Sequence, residues 1–151
     1  MAAPVRRSVV EAYYQAFASR DPAAIAPFID DDARWVIAGP IDLLRFCGER
    51  RGKAAIMDLF ETVIPEVLQV TGFVPEIMLV DGDRAATFSR LTARQHATGR
   101  SISYCCTHFL RFRADKVVEC RSIIDSFDAA EQVLGHAIDL SAEAGSSLSA
   151  F

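Results

Sequence analysis

The side chains best suited to chemistry lie between Ile102 and Asp128, in the stretch ISYCCTHFLRFRADKVVECRSIIDSFD. It contains a histidine, His108, two adjacent cysteines and a late aspartate, Asp125. Histidine and carboxylate side chains transfer protons in enzymes, and hydrogen-bond donors beside them stabilise a developing oxyanion. The stretch therefore indicates acid–base chemistry, if the fold brings these groups into one pocket.

Strand alternation places His108 on an apolar face. Residues two apart on a strand share a face, and in the segment Ser101–Arg113 the neighbours of His108 by this rule are Ile102, Tyr104, Cys106, Leu110 and Phe112. A histidine there is either a core residue bonded to a tyrosine or a carbonyl, or a functional group facing a pocket. The pattern alone leaves both interpretations open.

Two further polar residues have equally open roles. Alternation in the segment Lys116–Phe127 does not decide which parity faces inward, so Asp125 is either catalytic or a strand-end residue that accepts backbone N–H bonds. Arg90 lies between Phe88 and Thr92 on its own face. It forms a surface ion pair, or it anchors an anionic substrate group or Asp125.

The composition excludes two classes of partner. The 151 residues carry a net charge of −4 and their arginines are scattered, so no basic stripe is available for nucleic acid. No apolar run reaches the roughly 18–20 residues of a membrane span. The first residues lack the apolar core of a signal peptide. We expect a cytoplasmic protein that binds neither nucleic acid nor membrane.

Neither a metal nor a cofactor is expected. The four cysteines form no C-x-x-C pair, and no histidine stands at zinc-ligand spacing from them. Asp30, Asp31 and Asp32 are consecutive, so their carboxylates cannot all point at one ion. We expect these three aspartates at the solvated end of a helix.

Helical patterns fill the first half of the chain. Apolar residues at three- and four-residue spacing predict a helix over 5–19, and Asp21 followed by Pro22 predicts the start of a short second one. A brief strand over 33–38 and a loop follow. A third helix is predicted over 53–68, with a kink at Pro65.

The second half changes to β-branched and aromatic segments. Four strands are predicted over 70–80, 84–95, 101–113 and 116–127, joined by short turns, and a last helix is predicted to begin at Asp128. Three helices followed by an antiparallel meander give an α+β fold with the helices on one face of the sheet. We expect one domain over 1–136 and a loose tail over 137–151.

The order of elements, with VVEAYYQAFASRDPAAIAPFIDDDARW, GERRGKAAIMDLF and HFLRFRADKVVECRSIIDSFD, resembles the nuclear transport factor 2-like superfamily. Within it the chain is most similar to SnoaL-like polyketide cyclases and relatives of ketosteroid isomerase. The resemblance implies a cone-shaped roll whose curved, mostly antiparallel sheet wraps a deep apolar pocket, and a homodimer through the sheet. It does not fix a reaction, because this fold serves many functions.

Residue by residue, the resemblance implies a partial catalytic set. Tyr13 aligns with the oxyanion-binding tyrosine of ketosteroid isomerase, and His108 aligns with its second oxyanion donor. The isomerase base is missing, since Ile37 or Ala38 stands at its position. Asp125 matches the last-strand aspartate of SnoaL-like cyclases, with Asp128 as the competing alignment. Arg90 matches an arginine of limonene epoxide hydrolase.

Limonene epoxide hydrolase also uses two aspartates, which Thr92 and Ser122 replace here, so its mechanism is not expected. We therefore expect a cofactor-independent isomerase, cyclase or lyase that transfers a proton on a small hydrophobic carbonyl compound, with Asp125 or His108 as base. The alternatives are a non-catalytic binding module and a dimeric interaction module with a filled core. The residues expected around the ligand are Arg90, Trp35, Phe17, Phe60, Phe88, Tyr104 and Phe112.

Overall fold

The computed structural model describes residues 3–141. The helices are α1 (Arg7–Ser19), α2 (Pro22–Ile25), α3 (Lys53–Asp58), α4 (Ile64–Val67) and α5 (Ser126–Leu134). The strands are β1 (Ile29–Ala38), β2 (Gly48–Arg51), β3 (Leu68–Asp81), β4 (Arg84–Gln95), β5 (Ser101–Arg113) and β6 (Lys116–Ile124). A 3₁₀ turn, Ala26–Phe28, follows α2, and a π turn, Leu59–Val63, joins α3 to α4.

One curved, mostly antiparallel sheet contains all six strands in the order β2-β1-β6-β5-β4-β3. Only the pair β1–β6 is parallel among these strands; every other neighbouring pair is antiparallel. The predicted α+β fold, with helices against one face of such a sheet, is confirmed. Within residues 3–141, none of the helices is both long and apolar enough to cross a membrane.

The ends of several elements follow from local chemistry. α1 buries the stripe Val10, Tyr13, Tyr14 and Phe17 and ends at Arg20, whose φ of 59° lies in the left-handed region. The Asp21 side chain accepts a hydrogen bond from the Ala23 N–H, and Pro22 occupies the first helical position, as predicted.

Two strands differ from the prediction: β2 was not predicted, and β1 was predicted to begin too late in the chain. β2 was expected to be loop because its four residues are glycine and three charged side chains, but it pairs with β1 at the sheet edge, where such residues are tolerated. β1 begins at Ile29, so Asp30, Asp31 and Asp32 lie on a strand and not at a helix end. Asp30 accepts a hydrogen bond from Arg113 at 3.1 Å.

The predicted third helix is divided in two. Pro65, in the first turn of α4, has no N–H to donate to the preceding turn. The π turn Leu59–Val63 lies directly before α4 and separates it from α3. The N-cap of the last helix lies three residues earlier than predicted. Asp125, and not Asp128, is its N-cap, because the Asp125 carboxylate accepts the N–H of Asp128 at 3.3 Å.

The two faces of the sheet divide the strand residues cleanly. On β5 the buried set is Ile102, Tyr104, Cys106, His108, Leu110 and Phe112, as alternation predicted. On β6 the inward set is Cys120, Ser122 and Ile124, while Arg121, Ile123 and the following Asp125 are exposed. We call the helix-covered side the inner face and the other side the outer face. Most of the predicted tail, residues 142–151, lies outside the described residues.

Candidate functional site

A small cavity of about 40 Å³ lies between the inner face and the helices. Its walls are mainly apolar and come from α1, β1, the π turn and the long strands, including Phe17, Trp35, Phe60, Phe73, Leu91 and Ile124. A volume of this size holds about one water molecule. Any organic ligand must therefore displace side chains to enter.

Three polar side chains cross this apolar face in one row. Thr87 on β4, His108 on β5 and Ser122 on β6 are direct partners in the strand register. Their exposed fractions are 3%, 4% and 4%, and both His108 and Ser122 line the cavity. Neighbouring rows on the same face are largely apolar, so this row is where the sheet can offer hydrogen bonds to a buried ligand.

Tyr14 holds one edge of the histidine ring. Its hydroxyl lies 3.2 Å from His108 Nδ1 and 2.7 Å from Thr87 Oγ1. The ring of His108 also stacks on Tyr14 and Phe73, with centroids 5.9 and 5.5 Å away. His108 Nε2 has no hydrogen-bond partner among residues 3–141. The imidazole is thus fixed on one side and available on the other.

The tyrosine contact gives His108 two possible tautomers. If Tyr14 donates to Nδ1, the proton of the imidazole is on Nε2, which can then donate to a ligand. If Tyr14 donates to Thr87, the Nδ1–H of His108 donates to the tyrosine oxygen, and Nε2 becomes a free base. The hydroxyl of Thr87 therefore helps to decide which nitrogen of His108 carries the proton.

Burial keeps the ring neutral. Desolvation, with a smaller contribution from the positive charge of Arg20, lowers the pKa of His108 from 6.5 to about 4. Burial also raises the pKa of Tyr14 far above its usual value, so its hydroxyl keeps its proton at neutral pH. Burial similarly raises the pKa of the Cys106 thiol, which lines the cavity, to about 12.

Arg20 supplies the positive charge of the cavity. It follows the last turn of α1, lines the cavity, and its Cζ lies 5.2 Å from the centre of the Phe17 ring. No aspartate or glutamate is among the described residues that line the cavity. Nor do residues 3–141 contain any cluster of three side chains suited to hold a metal ion.

A family model described as a SnoaL-like domain matches residues 10–120. The chain belongs to the SnoaL-like family. No curated protein matches this SnoaL-like domain in a sequence search. The predicted family is thus confirmed over most of the chain.

Solved structures agree with that assignment. A candidate isomerase from Rhodopseudomonas palustris is 31% identical, with a TM-score of 0.73 over 84% of this chain and 93% of its own. A nuclear transport factor 2-like protein from Burkholderia thailandensis is 23% identical, with a TM-score of 0.73 over 84% and 95%. AclR, a candidate hydroxylase from Streptomyces galilaeus, is 18% identical, with a TM-score of 0.67 over 93% and 91%. The last two establish only a shared fold.

The SnoaL-like domain brings together half of the residues predicted for its site. His108 lies at the cavity with Phe17, Trp35, Phe60 and Tyr104. Tyr13 is fully buried, but its hydroxyl has no hydrogen-bond partner in the described structure, and its ring packs on Phe112 outside the cavity. Tyr14, the next residue, is the tyrosine of α1 whose hydroxyl reaches His108.

Four other predicted residues lie away from the cavity. Arg90 and Phe88 belong to the outer face, where Arg90 Nε lies 3.2 Å from the Glu76 carboxylate. Asp125 is exposed and caps α5, which is the structural alternative that the sequence left open for it. Phe112 is only 1% exposed and is core.

Four contributing residues were missed by sequence reasoning: Tyr14, Arg20, Thr87 and Ser122. Alternation along β4 and β6 could have identified Thr87 and Ser122, because both share a parity with apolar residues. Tyr13 and Tyr14 belong to the same apolar stripe of α1, so spacing alone could not separate them. Nothing in the pattern distinguishes Arg20 from an ordinary helix-end cation.

Proposed function

We propose that this SnoaL-like domain is a cofactor-independent isomerase, cyclase or lyase that transfers a proton on a small hydrophobic carbonyl compound. The observation that carries the proposal is His108 itself. A neutral imidazole, fixed by Tyr14 at one nitrogen and free at the other, faces an apolar cavity. Such a group can move a proton or donate to an oxyanion without water competing for it.

His108 takes the role of base in this proposal. No carboxylate lines the cavity within residues 3–141, and Asp125 is engaged at the exposed end of α5. A pKa near 4 makes His108 a weak base on its own. An enolate forming beside the ring would favour the imidazolium and raise that pKa, because opposite charges attract strongly at low dielectric.

Ligand entry requires movement of the helical side of the cavity. A carbonyl compound of about ten heavy atoms needs a pocket of a few hundred Å³, far more than 40 Å³. Phe60 lies on the π turn and Ile64 begins α4, and both line the cavity. Irregular helical turns of this kind are easier to rearrange than strands, so α3–α4 is the expected entrance.

The test is exchange of the α-proton of small cyclic ketones in D₂O, followed by proton NMR. His108→Gln is expected to slow exchange by a factor on the order of 10²–10⁴, the usual contribution of a general base. His96→Gln is the matched control, since His96 is exposed on the β4–β5 turn. Equal rates for wild type and both variants would remove the assignment of His108.

The small cavity favours one second candidate, a dimeric interaction module whose interior is ordinary core. The outer face of the sheet carries an apolar outer patch, made of the half-buried Phe88 and the exposed residues Ile77, Leu79, Phe109 and Ile123. The patch borders an open groove of about 530 Å³ that contains charges of both signs. A mixed-charge apolar surface suits a two-fold contact between identical chains.

A further inference from the structure

We propose that the ligand of this cavity is an apolar anion, a carboxylate or an ionised enol, and that Arg20 binds its charged group. This inference rests on the proposed ligand site and narrows its substrate class. The sequence had offered Arg90 for such an anchor, but Arg90 is paired on the outer face. Arg20 is the charged side chain that the cavity itself presents.

The charge of Arg20 is poorly compensated where it stands. Its guanidinium makes no hydrogen bond and no ion pair with residues 3–141. The Phe17 ring beneath it supplies a cation–π contact, and the carboxyl end of α1 adds a favourable dipole. Neither contact uses the five N–H donors. A planar guanidinium with its donors unused is the preferred partner of a carboxylate or an enolate oxygen.

The backbone also indicates that Arg20 is held in place. Its φ of 59° is uncommon for a non-glycine residue, and its N–H donates to the carbonyl of Phe17. The same Phe17 ring lies 5.4 Å from the His108 ring, centroid to centroid. Phe17 thus contacts both the cation and the imidazole, which places the anion anchor and the proton-transfer group on the same wall.

Electrostatics along the cavity agree with this geometry. Burial and, to a lesser extent, the positive charge of Arg20 lower the pKa of His108, and partial burial lowers the pKa of Arg20 itself. Both shifts disfavour positive charge in a cavity whose described lining includes no carboxylate. A bound carboxylate would offset both, whereas a neutral ligand of the same shape would offset neither.

The experiment compares phenylacetate with phenylacetamide, which have the same apolar body and differ in charge. Trp35 is the sole tryptophan, is 1% exposed and lines the cavity, so its fluorescence reports ligand entry. Wild type is expected to bind phenylacetate more tightly than phenylacetamide. Arg20→Gln is expected to lower the affinity for phenylacetate by roughly 10- to 100-fold and to leave the affinity for phenylacetamide unchanged.

Two further variants complete the design. Arg90→Gln removes a guanidinium from the outer face and is expected to change neither affinity. Arg20→Lys keeps the charge without the planar fork and is expected to restore part of the loss. The inference is overturned if wild type shows no preference for the anion, including the case in which neither compound binds, or if Arg20→Gln affects both compounds equally.

The result separates this inference from the proposed reaction. If His108→Gln leaves proton exchange unchanged while Arg20→Gln still abolishes the preference for phenylacetate, the reaction fails and the anion site stands. If His108→Gln stops exchange and Arg20→Gln leaves both affinities unchanged, the reaction stands and the ligand is not an anion.

Discussion

The inner and outer faces of the same sheet use polar residues in opposite ways. On the outer face Glu119 lies within 3.5 Å of Arg34 and Arg111 and within 2.9 Å of Arg121, so opposite charges meet in solvent. On the inner face Arg20 and His108 Nε2 have no such partners among residues 3–141. Paired charge on a surface is ordinary; unpaired polarity in an apolar interior is costly and points to a ligand.

The sharpest test of the two faces removes the same side chain from each. Phe112→Ala on the inner face is expected to lower the free energy of unfolding by about 3–5 kcal/mol, because Phe112 is 1% exposed. Phe109 lies three residues earlier on β5 and is 50% exposed. Phe109→Ala is therefore expected to lower the free energy of unfolding by less than about 1 kcal/mol. Urea denaturation at low protein concentration measures both.

The same pair addresses oligomeric state. If two copies meet through the apolar outer patch, Phe109→Ala weakens the dimer in analytical ultracentrifugation, while Phe112→Leu, which keeps most of the buried volume, does not. An equal stability loss for Phe109→Ala and Phe112→Ala in the monomer would contradict the division of β5 into a buried and an exposed set.

An effect of intermediate size comes from pH. The pKa of His108 is about 4 in the folded chain and about 6.5 when unfolded, so between these values the unfolded state binds more protons. Stability is therefore complete above pH 6.5 and falls as the pH drops towards 4, by about 3 kcal/mol. Below pH 4 His108 causes no further change in stability, since it is protonated in both the folded and the unfolded state.

The control isolates the histidine from the surface carboxylates. Asp30, Glu49 and Glu119 also have lowered pKa values, caused first by hydrogen bonds to a backbone N–H or an arginine, and lose their stabilising charge in acid. His108→Gln retains these groups. Its unfolding free energy is expected to fall less than that of wild type between pH 7 and pH 4, and parallel curves would show that His108 is not buried and neutral.

The smallest effect is expected on the outer face. Glu119→Gln removes the carboxylate shared by three arginines, and the expected loss is below about 1 kcal/mol and shrinks in high salt, because exposed ion pairs are screened. Thermal melts at low and high ionic strength measure it. A larger loss that does not respond to salt would mean that this network is effectively buried.

The fold was predictable because periodicity is a property of the whole segment. β4 and β5 have the predicted bounds, since each is long, β-branched or aromatic, and ended by a polar turn. β2 was missed because four residues at an edge carry no alternation to detect. The start of β1 was missed because its pairing with β6 is decided by tertiary contact and not by its three aspartates.

The site was less predictable because it depends on single neighbours. Alternation put His108 on the correct face, and the aromatic residues Phe17, Trp35 and Phe60 do line the cavity. Which of two adjacent tyrosines reaches His108 depends on the rotation of α1, and one residue is about 100° of helix. Whether Asp125 faces in depends on where β6 ends, which no local pattern specified.

The parallel pair β1–β6 has a consequence for folding. Trp35 is the register partner of Cys120, so the wall of the cavity joins an early part of the chain to a late one. Closing so large a loop is slow compared with forming the β3–β4–β5 meander, whose turns are short. During synthesis β1 has only β2 beside it until β6 has emerged from the ribosome. Its other edge stays open for that time, and assembly of the cavity is expected to be among the last events of folding.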